Sequence, residues 1–389
     1  MVSFDNTEIA FSGKSDGDLN RAYLLFKLIG NNSLVNLGKT ATQLAIRLYL
    51  PIEGMVKATI FKQFCGGTDL KTCDKTINEL AKFHIGTILN YSAEGNETEK
   101  DFARALNEVL STIDLANQNP KIPFCVFKVT GIARFGLLEK ASAHSELSES
   151  EKQEYELVEQ RVDKICRKAE ELGVRVLIDA EESWIQQAID DLVTNAMRRY
   201  NTQKPLIYNT VQMYRSDRLQ FLKSAIAKAG SENYFLGIKL VRGAYMEKER
   251  ERAAAKNYDS PIHATKENTD IDYASALKIL VENNAFVATC AGTHNEKSCQ
   301  DLINMMEKQG IDKTDRSIYF AQLLGMSDQI SYNLASAGFN IAKFVPYGPV
   351  KEVIPYLIRR AEENTSIAGQ ISRELSLIMQ EKNRRKSNN

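Results

Sequence analysis

The feature that most constrains this chain is a recurrence. From His84 onward, eight short runs rich in β-forming residues return at intervals: 85–91, 124–129, 174–178, 206–211, 236–241, 286–290, 318–320 and 341–345. Each is nearly continuous in apolar residues rather than alternating, as a strand covered on both faces requires. Between most of them lie amphipathic stretches long enough for a helix, such as 148–171, 217–229, 273–284 and 296–309. Strands alternating with helices build βαβ units with a parallel sheet, and eight of them predict a distorted (β/α)8 barrel of TIM type. The rival is a doubly wound open sheet. That fold would carry a glycine-rich fingerprint after its first strand, and neither GxGxxG nor GxxxxGK[ST] occurs. Gly38-Lys39-Thr40 resembles the end of a phosphate loop but lacks the upstream glycine and strand.

The flanks read differently. Residues 1–83 form an N-terminal helical region: Asp18 is expected to cap a helix through Leu28, Pro51 suits a first helical position, Gly66-Gly67 a stop, and 68–83 a further helix. Residues 84–364 are assigned to the barrel. Residues 365–389 are assigned to a last helix, with Ile367, Ile371, Leu375 and Ile378 on one face, and the basic tail Arg384-Arg385-Lys386. Lys plus Arg equals Asp plus Glu at 50 each, so no general nucleic-acid surface is expected. The first 18 residues are polar and slightly acidic, with neither signal-peptide nor transit-peptide character. This reading places the chain in the cytoplasm, or peripherally at an inner membrane, and of bacterial origin. The six cysteines show no CxxC and no zinc-ligand spacing with histidine, so they read as free thiols and no metal is expected.

Charged and polar groups stand at nearly every strand end: Lys128, Asp179, Gln212, Lys239 with Arg242-Gly243-Ala244-Tyr245, Thr293-His294-Asn295, Gln322, and Pro346-Tyr347-Gly348. In a barrel of this type, functional residues sit at such positions. Each one singly is as well explained by a structural ion pair. Together they describe a pocket with positive charge, from Lys128, Lys239, Arg359 and Arg360, set against Asp179. Tyr356, Arg359 and Arg360 share one face if 349–364 is helical. A guanidinium pair there would grip a carboxylate or phosphate. The bland reading of that face is a solvated helix with Glu363 as ion-pair partner. No cysteine–histidine or serine–histidine pairing is evident, and His294 beside Asn295 suits hydrogen bonding to a bound group. The pocket suits an anionic small molecule, and a bound flavin would need this kind of positioning and little acid–base machinery.

Five ordered strings carry a family resemblance: Gly237-Ile238-Lys239-Leu240-Val241-Arg242-Gly243-Ala244-Tyr245, Gly292-Thr293-His294-Asn295, Gln322-Leu323-Leu324-Gly325-Met326, Val345-Pro346-Tyr347-Gly348 and Tyr356-Leu357-Ile358-Arg359-Arg360. In order and spacing, over residues 84–364, they resemble the proline dehydrogenase family, its monofunctional, eukaryotic-type branch in particular. The resemblance implies oxidation of L-proline to Δ1-pyrroline-5-carboxylate by hydride transfer to FAD, the first step of proline catabolism. It implies electrons passed to a membrane quinone and a separate pyrroline-5-carboxylate dehydrogenase downstream. It implies that Lys128, Arg359 and Arg360 bind the substrate carboxylate, with Asp179 beside them orienting an arginine. Leu240, Leu324, Phe344 and Tyr356 would enclose the ring, with Tyr245 near it. Lys239 would approach the flavin N5 region, with Asp179, Gln212, Val241, Arg242, Gly243, Ala244, His294, Asn295 and Gln322 around the cofactor, and Glu363 pairing with the arginine face.

Two positions depart from the family pattern. Many members carry arginine where this chain has Lys239, which keeps the charge but loses the planar fork. Proline-specific members carry tyrosine where this chain has Phe344, and hydroxyproline-oxidising relatives carry a small residue there. Phenylalanine keeps the bulk, so proline is the expected substrate, with hydroxyproline the alternative. A barrel lyase using Lys239 as a Schiff-base amine, and a flavin-free binding protein, are the readings from other classes.

Overall fold

The computed structural model describes residues 2–31, 38, 53–92, 97–366 and 370–387. Eight parallel strands close into a barrel in the order β1 to β8. They are β1 (Gly86–Tyr91), β2 (Phe124–Lys128), β3 (Val176–Asp179), β4 (Ile207–Gln212), β5 (Leu236–Val241), β6 (Val287–Gly292), β7 (Ile318–Leu323) and β8 (Ile341–Tyr347). β3, β4 and β8 are buried at every residue, as parallel strands covered by helices must be. The structure thus bears out the (β/α)8 expectation, with strand bounds shifted by up to three residues.

The described chain forms two compact units, Met1–Glu94 with Gln322–Asn389, and Gly95–Ala321. In the second, helices alternate with β2 to β7. The helix Glu149–Leu172 opens on a reciprocal cap between Ser148 and Glu151 and stops at Gly173, in the left-handed conformation at φ +66°. Asp190 is the polar centre of this unit. It is buried and accepts from Gln186 Nε2 at 3.0 Å, Asn209 Nδ2 at 2.9 Å and Arg218 Nη1 at 2.6 Å. Buried charge of this kind is tolerated only with such partners. Near the strand N-terminal ends, Phe124 packs edge-on against Tyr208 (centroids 5.3 Å) and Tyr319 (4.9 Å).

The first unit holds β1 and β8, in register with Ile88 opposite Phe344. Its core joins Leu19, Phe26 and Phe64 to Val353, Leu357, Leu377 and Ile378. The helix Asp16–Ile29 is capped by Ser15, and Asp18, expected as the cap, is the third helical residue that returns the bond. The expected last helix from residue 365 begins instead at Gln370, because Thr365 still belongs to the helix Val350–Ser366. Ile371 and Ile378 are buried, as that helix face predicts. Lys39, Thr40, Pro51 and Ile367 lie outside the described residues. All six cysteines are buried free thiols.

Candidate active site

Within residues 95–321, β2 ends on Lys128 and β3 on Asp179, and the two face each other in register. Lys128 Nζ donates to Tyr245 Oη at 3.2 Å and lies 5.8 Å from that ring's centroid. Lys239, from β5, donates to Asp179 Oδ1 at 2.6 Å, and both side chains are only about a tenth exposed (10% and 12%). The strand between them, β4, places the small Thr210 opposite Lys239, which leaves the pair room to meet. Leu240 is fully buried. Gln212 closes β4 opposite Val241. It is buried, and its Oε1 has no hydrogen-bond partner among the described residues.

The turn after β5 depends on Gly243. Its φ is +139°, and a Cβ there would stand 2.5 Å from the Tyr214 ring, so no other residue fits. Arg242 turns to its own helices. Nε donates to Asp270 at 2.8 Å, Nη1 to Thr293 Oγ1 at 2.8 Å and Nη2 to Ser298 Oγ at 2.9 Å, with the guanidinium 4.4 Å over the Tyr273 ring. This clamp fixes the β5 turn against the β6 turn, leaving Ala244 exposed and Tyr245 buried. After β6, Asn295 caps the helix Glu296–Lys308, its Oδ1 accepting from Ser298 N at 2.9 Å. That leaves its amide group as the donor for anything else. His294 is half-buried on the same turn.

Within the other unit, Gln322 on β7 is buried and its Oε1 accepts from Ser331 Oγ at 3.0 Å. Leu324 N donates to Phe344 O at 2.9 Å, tying the loop after β7 to β8. That loop turns at Gly325 (φ +78°), where a Cβ would meet the Gln63 carbonyl at 2.1 Å. Phe344 is buried, and next to it Lys343 is fully enclosed and paired with Asp328 at 2.8 Å. In the helix Val350–Ser366, Val353, Ile354 and Leu357 anchor one side in the core. Tyr356 and Arg360 are buried too, at 5% and 8% exposure, and the Arg360 guanidinium lies 5.2 Å over the Tyr356 ring. Arg359 is half-buried. The reading of this face as a solvated helix is therefore excluded for Arg360. The Glu363 side chain lies outside the described residues.

Sequence reasoning passed over Glu181. It stands two residues past Asp179, buried, and accepts from Thr130 N at 3.1 Å and from the Thr130 hydroxyl. Burial pushes its carboxyl up to about 7, against the opposing pull of the Lys128 charge and the Thr130 bonds. The only sequence signal was an acidic residue directly after a strand end.

A parallel eight-stranded barrel with a buried ion pair and a second cation at its strand C-terminal ends is the architecture of a TIM-type barrel enzyme. The model of the family described as proline dehydrogenase matches residues 73–373. The chain is 32% identical over 98% of its length to proline dehydrogenase 1, mitochondrial, of Dictyostelium discoideum, covering 74% of that protein. It is 41% identical over 62% of its length to the human proline dehydrogenase 1, mitochondrial, of which it spans 41%. It is 32% identical over 86% of its length to the carbapenem antibiotics biosynthesis protein CarD of Pectobacterium carotovorum, covering 86% of that protein. The barrel superposes on proline utilization A from Bdellovibrio bacteriovorus with a TM-score of 0.74 at 19% identity, over 93% of this chain and 38% of that one.

The chain belongs to the proline dehydrogenase family, a family of oxidoreductases. The expectation of a cytoplasmic protein of bacterial origin is overturned: the Dictyostelium, human and Arabidopsis relatives are named mitochondrial. That expectation rested on the polar composition of the first 18 residues, which does not fix a compartment.

Proposed function

We propose that this chain oxidises L-proline to Δ1-pyrroline-5-carboxylate, with FAD as hydride acceptor, a membrane quinone as final acceptor and a separate pyrroline-5-carboxylate dehydrogenase taking the product. The observation that carries the reading, beyond family membership, is the buried Lys239–Asp179 pair beside Lys128 at the strand ends. The local chemistry fits a flavin. Gln212 keeps a buried acceptor without a partner among the described residues, and the Asn295 amide is available as a donor. Gln212, Lys239, Val241, Arg242, Gly243, Ala244, His294, Asn295 and Gln322 would hold the cofactor, with Asp179 and Glu363 in support. FAD, when bound, supplies a two-electron acceptor for the hydride leaving the ring.

The protein's own part is positioning and charge. Lys128, Arg359 and Arg360 hold the substrate carboxylate, which fixes the ring in one orientation. Leu240, Tyr245, Leu324, Phe344 and Tyr356 surround the ring and exclude water. Asp179 keeps the Lys239 ammonium in place, where a fixed cation stabilises negative charge as it develops. This pairing argues against the Schiff-base reading, because Nζ is committed to a carboxylate at 2.6 Å. Phe344 retains the volume that would crowd a ring hydroxyl, so kcat/KM is expected to favour proline over trans-4-hydroxy-L-proline.

The decisive experiment is optical. Purified protein should be yellow and bleach anaerobically on addition of L-proline; a colourless protein that takes up no FAD sinks the proposal. Arg359→Met and Arg360→Met should each raise the proline KM by roughly 10- to 1000-fold, since a charge-assisted bond contributes about 1.5–3 kcal/mol. Unchanged proline kinetics in both variants would remove the carboxylate clamp.

A further inference from the structure

At the N-terminal ends of β2, β3, β4 and β7 lies a cavity of about 320 Å³, within residues 95–321. This is the end of the strands opposite to Lys128, Asp179 and Gln212. Three cations line it: Arg175, just before β3, Lys204, before β4, and Arg316, before β7. No carboxylate lines it, and among the described residues none pairs with any of the three. Arg175 is held in place by stacking, its guanidinium 5.3 Å from the centroids of both Phe124 and Tyr319. Its Nη1 is buried and has no hydrogen-bond partner among the described residues, a donor left unmet at a cost to stability. Gly173 lines the wall, and a Cβ there would stand 3.3 Å from Lys204 Nζ.

The competing explanation is that these cations merely balance helix ends. Two helices finish at this cavity, Glu99–Gln118 and Glu149–Leu172. A helix C-terminus carries about half a negative charge, so two supply about one in total. Against three full positive charges, about two remain. The surplus matches a dianion, and the volume falls at the small end of ligand cavities, which run from roughly 300 to 1,000 Å³.

We infer that Arg175, Lys204 and Arg316 form a binding site for a small dianion, a phosphate monoester or a dicarboxylate, at the end of the barrel opposite to the proposed active site. The inference rests on these residues alone and stands whether or not the chain oxidises proline.

The test is calorimetric titration of the full-length holoenzyme at pH 8 with inorganic phosphate, with succinate and, at matched ionic strength, with chloride. Phosphate or succinate should bind at one site more tightly than chloride, and which of the two binds better identifies the ligand's chemistry. Lys204 and Arg316 are exposed, so the double variant Lys204→Ala/Arg316→Ala should fold. It should weaken that binding by about tenfold or more, the effect of losing charge-assisted contacts. Arg360→Met should leave it unchanged, which separates this site from the carboxylate clamp. If neither dianion outbinds chloride, or the double variant titrates like the parent, the site does not exist.

Discussion

Lys239 and Asp179 are the residues on which the site's charge balance turns. Each is buried and ion-paired with the other, so removing one takes away that pairing from a buried charge. Lys239→Met should destabilise the fold by about 3 kcal/mol, and Asp179→Asn in the same chain should recover much of that loss. Urea unfolding of the two single variants and the double variant measures the coupling; additive losses would mean the pair is not energetically linked. Glu181 makes a different prediction. Its carboxyl titrates at about 7, up from 4.5, chiefly because of burial. A raised carboxylate gives stability that is full below about 4.5 and lost as pH rises through about 7. The same ionisation puts a negative charge beside Lys128. Binding of tetrahydrofuran-2-carboxylate, which shares proline's ring and carboxylate but not its amine, should therefore weaken as pH passes 7. In Glu181→Gln that step should vanish. An inhibition constant flat from pH 6 to 8 in the parent would contradict this account.

At the scale of elements, the turn after β5 is the most constrained piece of the site. Gly243→Ala must both relieve φ +139° and displace the Tyr214 ring. A loss of about 2–4 kcal/mol is expected, and with it loss of bound flavin, read by the protein's absorbance and its urea midpoint. Much of this architecture was legible in the sequence. Near-continuous apolar runs marked all eight strands, because a strand covered on both faces cannot alternate. Their C-terminal limits were less legible. β3, β4 and β6 extend into Asp179, Gln212 and Gly292, polar or small residues at which an apolar criterion stops. The charges of the site were visible as residue types at strand ends. Their pairings were not, since Lys239 and Asp179 lie sixty positions apart, and Arg242 turns to Asp270 and Ser298 on helices that no local pattern connects to it. Glu181 looks in sequence like any surface acid; only burial makes it unusual.

Across the whole molecule, equal numbers of basic and acidic residues put the isoelectric point near 6.9. Self-repulsion is then weakest near neutrality. Light scattering at low salt should show most self-association close to pH 7 and less at pH 8.5, and a monotonic trend across that range would refute a charge-driven effect. The interior holds one more consequence. All six cysteines are buried, and burial pushes the thiols of Cys65, Cys125, Cys166, Cys290 and Cys299 up, with Cys290 at about 12. Thiolate is the reactive form, so the native protein should be nearly silent to maleimides while the unfolded chain exposes six sites. Any exposed position, Lys204 or Lys351 for example, can then be changed to cysteine and carry a single fluorophore without first stripping the native thiols. The fold thus comes with its own blank background for distance measurements on the intact, wild-type core.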